Sequence, residues 1–412
     1  MKRKLMALVL ACVMIAATMA GCGSGGNESA AEPSGDEGAE TAAEGGNTAG
    51  NDFKVAFVCS EAGQNDSGYN KSACDTLEKV ASELGIEYNI VEPTNGVAQA
   101  LETLAADGYN LIFSLEYDFE ALVNGVGGGT ALAEQYPDTW FVVFNDNPNV
   151  NEDGSVKYNN VISVLFDVHE ASYLAGYAYV LVNENQEQLF GDEYNLTPLD
   201  TARAAGFVGG TNSNGILVYS YGFIEGIEKA ASELDVTYDY YAKYDAGFTD
   251  SATGSTVAGT YYDNGANIVF ADCGTVGDGI TSKANEEGRL AIQVDADLDS
   301  TQPGYILTSV LKTTGVPVET ITRAYADGTI GEMDNLQSYD LESGATGITD
   351  MSVIGEHVQD ADLWNEILQK VNDVADQIKS GEIVVTNAQN GESLDNLSLI
   401  HISEPTRPIS IS

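Results

Sequence analysis

Asp295, Asp297 and Asp299 stand at alternate positions, the spacing with which a calcium loop begins. Such a loop needs glycine at its sixth position and a carboxylate at its twelfth, and Ser300 and Ile306 occupy those places. Acyl-transfer chemistry fares no better. The nearest approach to a nucleophile elbow, Thr211-Asn212-Ser213-Asn214-Gly215, has threonine where the first glycine is required. Only three histidines are present, His169, His357 and His401, so general acid–base chemistry has few carriers, and His169-Glu170 reads as the start of a helix. The run Gly125-Val126-Gly127-Gly128-Gly129 lies inside a helical pattern rather than after a strand, and there is no Walker A sequence, which argues against a phosphate loop. Beyond the first 22 residues the cysteines are Cys59, Cys74 and Cys273. They are odd in number and form no CxxC pair, so they read as small core residues rather than a disulfide framework or zinc site. No catalytic residue, metal or cofactor is expected.

Whatever site remains must be positioned by a regular alternation of elements. Strand candidates are Lys54–Ser60, Glu87–Glu92, Leu111–Leu115, Trp140–Asn145, Val161–Phe166, Gly206–Gly209, Tyr238–Tyr244, Ile268–Ala271, Leu290–Val294 and Tyr305–Leu311. Helical patterns separate them, at Ser72–Leu84, Val97–Ala106, Glu120–Gln135, Glu170–Asn183, Ser220–Leu234, Ser251–Asn264 and Val316–Ala326. Alternating strands and helices imply βαβ units, an α/β fold with parallel sheets covered on both faces. Gly85, Gly108, Gly265 and Gly328 stand where left-handed helix C-caps belong. Leu363, Ile367, Leu368, Val371, Val374 and Ile378 form the apolar stripe of a late helix that Gly381 stops. The alternation breaks between the helix at Glu170 and the strand at Gly206. Two doubly wound lobes follow from that seam, with a cleft at the carboxyl ends of both sets of strands.

The two ends of the chain read differently. Lys2, Arg3 and Lys4 precede an apolar stretch, Leu5–Met19, that is shorter than the roughly 20 residues a spanning helix needs. Ala20-Gly21-Cys22 then resembles the lipobox of bacterial lipoproteins, with Met19 where leucine is usual. That resemblance implies a signal peptide over residues 1–21, lipidation at Cys22 and an extracytoplasmic protein on the cell membrane. Residues 23–52 hold seven acids, no Lys or Arg, and alanine as their only apolar side chain, so they are expected to stay disordered as a tether spanning about 30 Å. At the other end, residues 397–407 (LSLIHISEPTR) resemble a translated sequencing adapter, which implies that residues 397–412 are foreign and the natural chain is interrupted near Asn396. Net charge is −46, and removing the three cations of residues 1–21 makes it −49. A surface this acidic excludes nucleic acid and anionic lipid as partners of the body.

Within the body, Asn65-Asp-Ser-Gly-Tyr-Asn-Lys-Ser-Ala73 follows the first strand and resembles the Asp-Lys-Ser-Phe-Asn-Gln-Ser-Ala segment of the basic membrane protein family. Those are substrate-binding lipoproteins of ABC transporters, the best known of which bind purine nucleosides. Further matches occur in order at residues 160–176, 206–210, 291–297 and 307–312, so the resemblance spans Lys54 to about Val385. It implies a type I periplasmic binding protein, two doubly wound parallel-sheet lobes joined by a multi-strand hinge. The lobes are expected at residues 53–167 plus 313–337 and at 168–312 plus 338–396.

By the same resemblance Tyr69 stacks on the base, an interaction worth roughly 1–3 kcal/mol, and the Asn70 carboxamide reads the purine edge. Asp295 accepts vicinal ribose hydroxyls, Lys312 reaches the same sugar, and Gly274 lets backbone approach the ligand. Asp118 and Glu120 both align with the family's aspartate on the loop after Leu115. Gly68, Tyr69 and Asp272-Cys273 depart from the family pattern at places that shift ligand preference. The expected protein is a monomer that binds a purine nucleoside and presents it to an ABC permease, touching the membrane only through its lipid. A sugar receptor of the same fold and a surface-anchored hydrolase are the alternatives.

Overall fold

The computed structural model describes residues 52–66, 68–115, 119–126, 129–394 and 400–403. Cys22 and the tether lie outside them. The chain opens as β1 (Lys54–Val58), α1 (Tyr69–Leu84), β2 (Glu87–Val91), α2 (Val97–Ala106) and β3 (Leu111–Ser114). It continues through α3 (Glu120–Val123), α4 (Leu132–Gln135), β4 (Trp140–Phe144) and β5 (Val161–Phe166). The continuous helix expected over Glu120–Gln135 is broken in two. Gly125 sits at φ +75°, and a side chain there would meet the Gly129 carbonyl, so the helix ends before it.

A second series follows: α5 (Val168–Glu184), α6 (Gln186–Phe190), β6 (Ala204–Gly209), α7 (Asn214–Leu234), β7 (Tyr238–Lys243), α8 (Ser251–Asp263) and β8 (Ala266–Asp272). Then come α9 (Thr275–Glu287), β9 (Leu290–Asp295), β10 (Ile306–Lys312), α10 (Gly315–Ala326), β11 (Leu336–Tyr339), β12 (Thr346–Ile348), α11 (Ser352–Gly355), α12 (Ala361–Lys379) and β13 (Ile400–Ser403). Gly85, Gly108, Gly265, Gly328 and Gly381 all take positive φ at or just past helix ends. No helix among the described residues is long and apolar enough to cross a membrane.

Two sheets result. The first has the order β11-β5-β4-β3-β1-β2 and is parallel throughout. The second runs β12-β10-β9-β8-β6-β7-β13, and only β12 is antiparallel to its neighbour. The adapter-like segment supplies β13, an outer strand beside β7. The chain passes between the sheets after β5, after β10 and after β11, three crossings that form a multi-strand hinge.

Strands of both sheets read as near-continuous apolar runs because helices bury both faces. In the first sheet Phe57, Phe113, Phe144, Phe166 and Tyr339 form a ladder across β1, β3, β4, β5 and β11, with ring centroids 6.5, 6.5, 6.3 and 5.6 Å apart. The spacing suits tilted and offset aromatic packing. One member, Phe166, ends β5 at the crossing and packs under the Lys312 ammonium. The free cysteines Cys59, Cys74 and Cys273 are all buried core residues.

Candidate functional site

A cavity of about 290 Å³ opens where the carboxyl ends of the two sheets face each other. Parallel strands leave their connecting loops and following helix N-termini at this end, which makes it the place where side chains converge. From the first lobe come Ser60, Glu61, Ala62 and Asp66 of the loop after β1, with Gly68 and Tyr69 at the start of α1. From the second come Tyr219 of α7, Phe248 after β7, Asp272 and Gly274 around the end of β8, Asp295 ending β9 and Lys312 ending β10.

Tyr69 begins α1, where Thr314 Oγ1 donates to its carbonyl at 2.7 Å. Its hydroxyl donates to the Leu115 carbonyl at 3.2 Å and accepts from Asn145 Nδ2, so the ring is tied to the ends of β3 and β4. This is what tyrosine adds over phenylalanine. Lys312 Nζ lies 5.0 Å from the Tyr69 ring centroid, 5.6 Å from Phe166 and 5.8 Å from Tyr219. Among the described residues no carboxylate oxygen comes within 4.0 Å of that ammonium. Burial therefore lowers the Lys312 pKa, against the pull of Asp295 and Asp272.

Asp295 is held at φ +72°, a left-handed conformation costing about 1–3 kcal/mol that turns its carboxyl off the sheet. Burial pushes that carboxyl up to about 6, with Asp66 adding to the shift and the Lys312 charge and a Tyr219 hydrogen bond opposing it. The three acids of the calcium-like spacing divide their tasks. Asp297 Oδ1 accepts from the Asp299 amide, and buried Asp299 accepts from Ser309 Oγ at 2.7 Å, leaving only Asp295 for the cleft. No cluster of three His, Cys, Asp or Glu able to hold a metal occurs among the described residues.

Gly274 has φ +55°, and its Cβ position is 3.0 Å from the Phe248 carbonyl. Glycine is needed there so that the N-terminus of α9 can close under Phe248, whose carbonyl accepts from the Thr275 amide at 2.9 Å. On the opposite wall, a Cβ at Gly68 would stand 2.7 Å from that of Ala296. The first-lobe loop thus reaches across to the end of β9.

Tyr69, Gly274, Asp295 and Lys312 are brought together, and two other expected residues are not. Asn70 is fully buried behind the wall: its Oδ1 accepts from the Ser60 amide and its Nδ2 donates to Ser60 Oγ and Asp66 Oδ2, each at 2.8 Å. That carboxamide holds the loop and has no edge left for a base. Glu120 is exposed at the start of α3, accepts from Asn124 Nδ2 at 2.9 Å and does not line the cavity. Asp118 lies outside the described residues. Asp66 gathers the loop by accepting from the amides of Gly68, Asn70 and Lys71 at 3.2, 2.8 and 3.0 Å, a cap for α1 that the sequence reading missed. Phe248, Tyr219 and Asp272 were also not assigned to the site. Asp272 is the polar end of an otherwise apolar strand, the signal that would have found it. His169 is buried at the start of α5 and burial lowers its imidazole to about 4, leaving it neutral and structural.

A family model described as ABC transporter substrate-binding protein, PnrA-like, matches residues 53–389. The nucleoside-binding ABC transporter protein BmpA of Lactococcus lactis is 25% identical over 320 residues, covering 72% of this chain and 81% of its own. Basic membrane protein A2 of Borrelia garinii is 26% identical over 285 residues, covering 68% and 75%. Among solved structures, an ABC transporter solute-binding protein from Aeropyrum pernix superposes with a TM-score of 0.64 at 19% identity, covering 81% of this chain and 93% of that one. An arabinose-binding protein from Shewanella does so at 0.51 and 16%, covering 81% and 99%. These structural likenesses establish the type I periplasmic binding protein fold, and the relatives are binding proteins of ABC transporters, not enzymes.

Proposed function

The chain belongs to the PnrA-like family of ABC transporter substrate-binding proteins, and on that footing we propose that its cleft captures a purine nucleoside for a partner permease. The carrying observation is the composition of one cavity. Three aromatic rings, Tyr69, Tyr219 and Phe248, line it together with a buried ammonium and a carboxyl from adjacent strand ends. An aromatic face suits a base, whichever base it is, while Asp295 accepts from paired sugar hydroxyls and Lys312 donates to them. A cavity of about 290 Å³ fits a small metabolite rather than a polymer. The nucleoside-binding relative from Lactococcus supports the same choice.

Capture works by differential contact. With the cleft open, each lobe solvates its own wall; with ligand present, base and sugar bridge the two, and the three-strand hinge closes. Lipidation at Cys22 and an acidic tether keep the receptor, as a monomer, near the permease that takes the solute. Calorimetric titration with inosine, guanosine, adenosine, ribose and a pyrimidine nucleoside tests the reading, which predicts purine nucleosides as the tightest ligands. Binding of ribose but no nucleoside refutes it. Tyr69→Ala is expected to weaken nucleoside binding about 10–100-fold, and a change within two-fold removes the stacking role.

A further inference from the structure

One carboxyl in the cleft is not used by the contacts above. Asp272 ends β8, lines the cavity and is only 6% exposed, and its Oδ2 is buried without a hydrogen-bond partner. A carboxyl left this way destabilises every unliganded molecule, and the cost is removed only when a partner arrives. The surroundings offer no internal partner: of the charges acting on it, the Asp295 carboxyl opposes ionisation and the Lys312 ammonium favours it from beyond ion-pairing distance. Burial accordingly raises the Asp272 carboxyl far above the usual carboxylate range. In its protonated form it donates as well as accepts, so it can engage a hydroxyl in either sense.

Position says which part of a ligand it meets. β8, β9 and β10 are neighbours in the sheet, and Asp272, Asp295 and Lys312 stand at their carboxyl ends. Adjacent strands are roughly 4.8 Å apart, so two carboxyls on neighbouring strand ends reach hydroxyls on different carbons that a single carboxylate cannot span. Resting on the nucleoside reading, we propose that Asp272 is a third sugar contact, receiving a pentose hydroxyl that Asp295 and Lys312 do not hold and thereby setting which hydroxyls a ligand must carry.

The test is a coupling experiment. The purified chain, Asp272→Ala and Asp272→Asn are titrated with inosine, its 2′-, 3′- and 5′-deoxy analogues, and hypoxanthine. Asp272→Ala is expected to bind inosine about 10–100-fold more weakly, the range of one hydrogen bond to a charged or strongly polar group. One deoxy analogue, penalised by the native chain, carries no further penalty in this variant, and hypoxanthine affinity stays unchanged. Asp272→Asn, which keeps an acceptor oxygen, retains part of the discrimination. The unliganded variants melt no lower than the native chain, because the group removed had no partner. If all deoxy penalties are the same in native and variant chains, the contact is refuted while the nucleoside reading stands. A lower melting temperature together with lost hypoxanthine binding makes Asp272 structural and refutes it too. If the native chain binds no nucleoside, the functional reading fails. Ribose, 2-deoxyribose and arabinose then decide on Asp272 by the same coupling, and binding of neither class overturns both.

Discussion

Asp295 gives the receptor a pH dependence whose sign and size follow from the cleft. Its carboxyl is pushed up to about 6 in the unliganded protein, chiefly by burial. Hydroxyls donate to a carboxylate, so the ligand binds the ionised form and must pull the pKa down again. Above pH 7 the site is ionised and affinity is flat. At pH 5 only about one molecule in eleven is ionised, so Kd rises about ten-fold, and each further unit adds another factor of about ten, or 1.36 kcal/mol. Stability of the unliganded protein moves the opposite way. A carboxyl whose folded pKa lies above its unfolded value of 3.8 contributes most below pH 4, and that contribution is lost as pH rises toward 6. Saturating ligand reverses this trend by favouring the anion.

The assay is calorimetric titration with inosine from pH 7.5 to 4.5, with thermal melts of free and saturated protein at each pH. Asp295→Asn serves as control, since it removes this titrating group and should make both profiles shallower while binding more weakly throughout. A change in Kd of less than two-fold between pH 7.5 and 5, or tighter binding in acid, refutes the placement of the sugar on an ionised Asp295.

Lys312→Met keeps an unbranched apolar stem but removes the ammonium that lies over three rings and opposes the raised pKa of Asp295 and Asp272; inosine affinity at pH 7.5 should fall at least about 100-fold, and the pH at which binding is lost should move up, as titrations across pH would show. Gly274→Val forces a β-branched residue to φ +55° against the Phe248 carbonyl; a strain of about 1–2 kcal/mol should lower the melting temperature by about 2–8 °C and weaken ligand binding in the same preparation. Inosine 5′-monophosphate should bind at least about 100-fold more weakly than inosine in a competition titration, because Glu61, Asp66 and Asp295 line the cavity with one lysine.

Most of the framework was legible because parallel strands buried on both faces must be short apolar runs: all ten expected strands occur, with ends shifted by two residues at most. What escaped was what carries no such pattern. β11 and β12 are four and three residues long, mostly not fully buried, and rich in polar side chains, so nothing in composition separates them from loops. Glu120–Gln135 misled in the other direction, since apolar periodicity persisted past Gly125, whose positive φ ends the helix. In the cleft, Tyr69, Gly274, Asp295 and Lys312 were recognisable as single positions in ordered motifs. Asn70 belongs to the same motif, yet adjacency in sequence did not decide its direction. A helix turns about 100° per residue, so when Tyr69 faces the cleft Asn70 faces inward, where Ser60 and Asp66 consume its amide. Asp66 caps the first amides of α1 from within the same motif, a role that the resemblance does not assign to it.

The free cleft is poised at some expense to itself. Asp295 sits at a backbone angle that few non-glycine residues adopt, Asp272 has an unpartnered oxygen, and the Lys312 ammonium has aromatic faces in place of an anion. The backbone strain stays with Asp295, and on the proposed reading a ligand hydroxyl supplies what the Asp272 oxygen and the Lys312 ammonium lack. A receptor built this way gains selectivity without tightness in the empty state, because a ligand lacking one hydroxyl leaves a buried group unsatisfied and forfeits more than the bond it fails to form. It also explains why the polar groups cluster on β8, β9 and β10 of one lobe while the first lobe contributes a ring and a capped loop. On the proposed reading the second lobe binds the sugar before closure and the first then covers the base, so that release to a permease requires only that the ring and loop swing away.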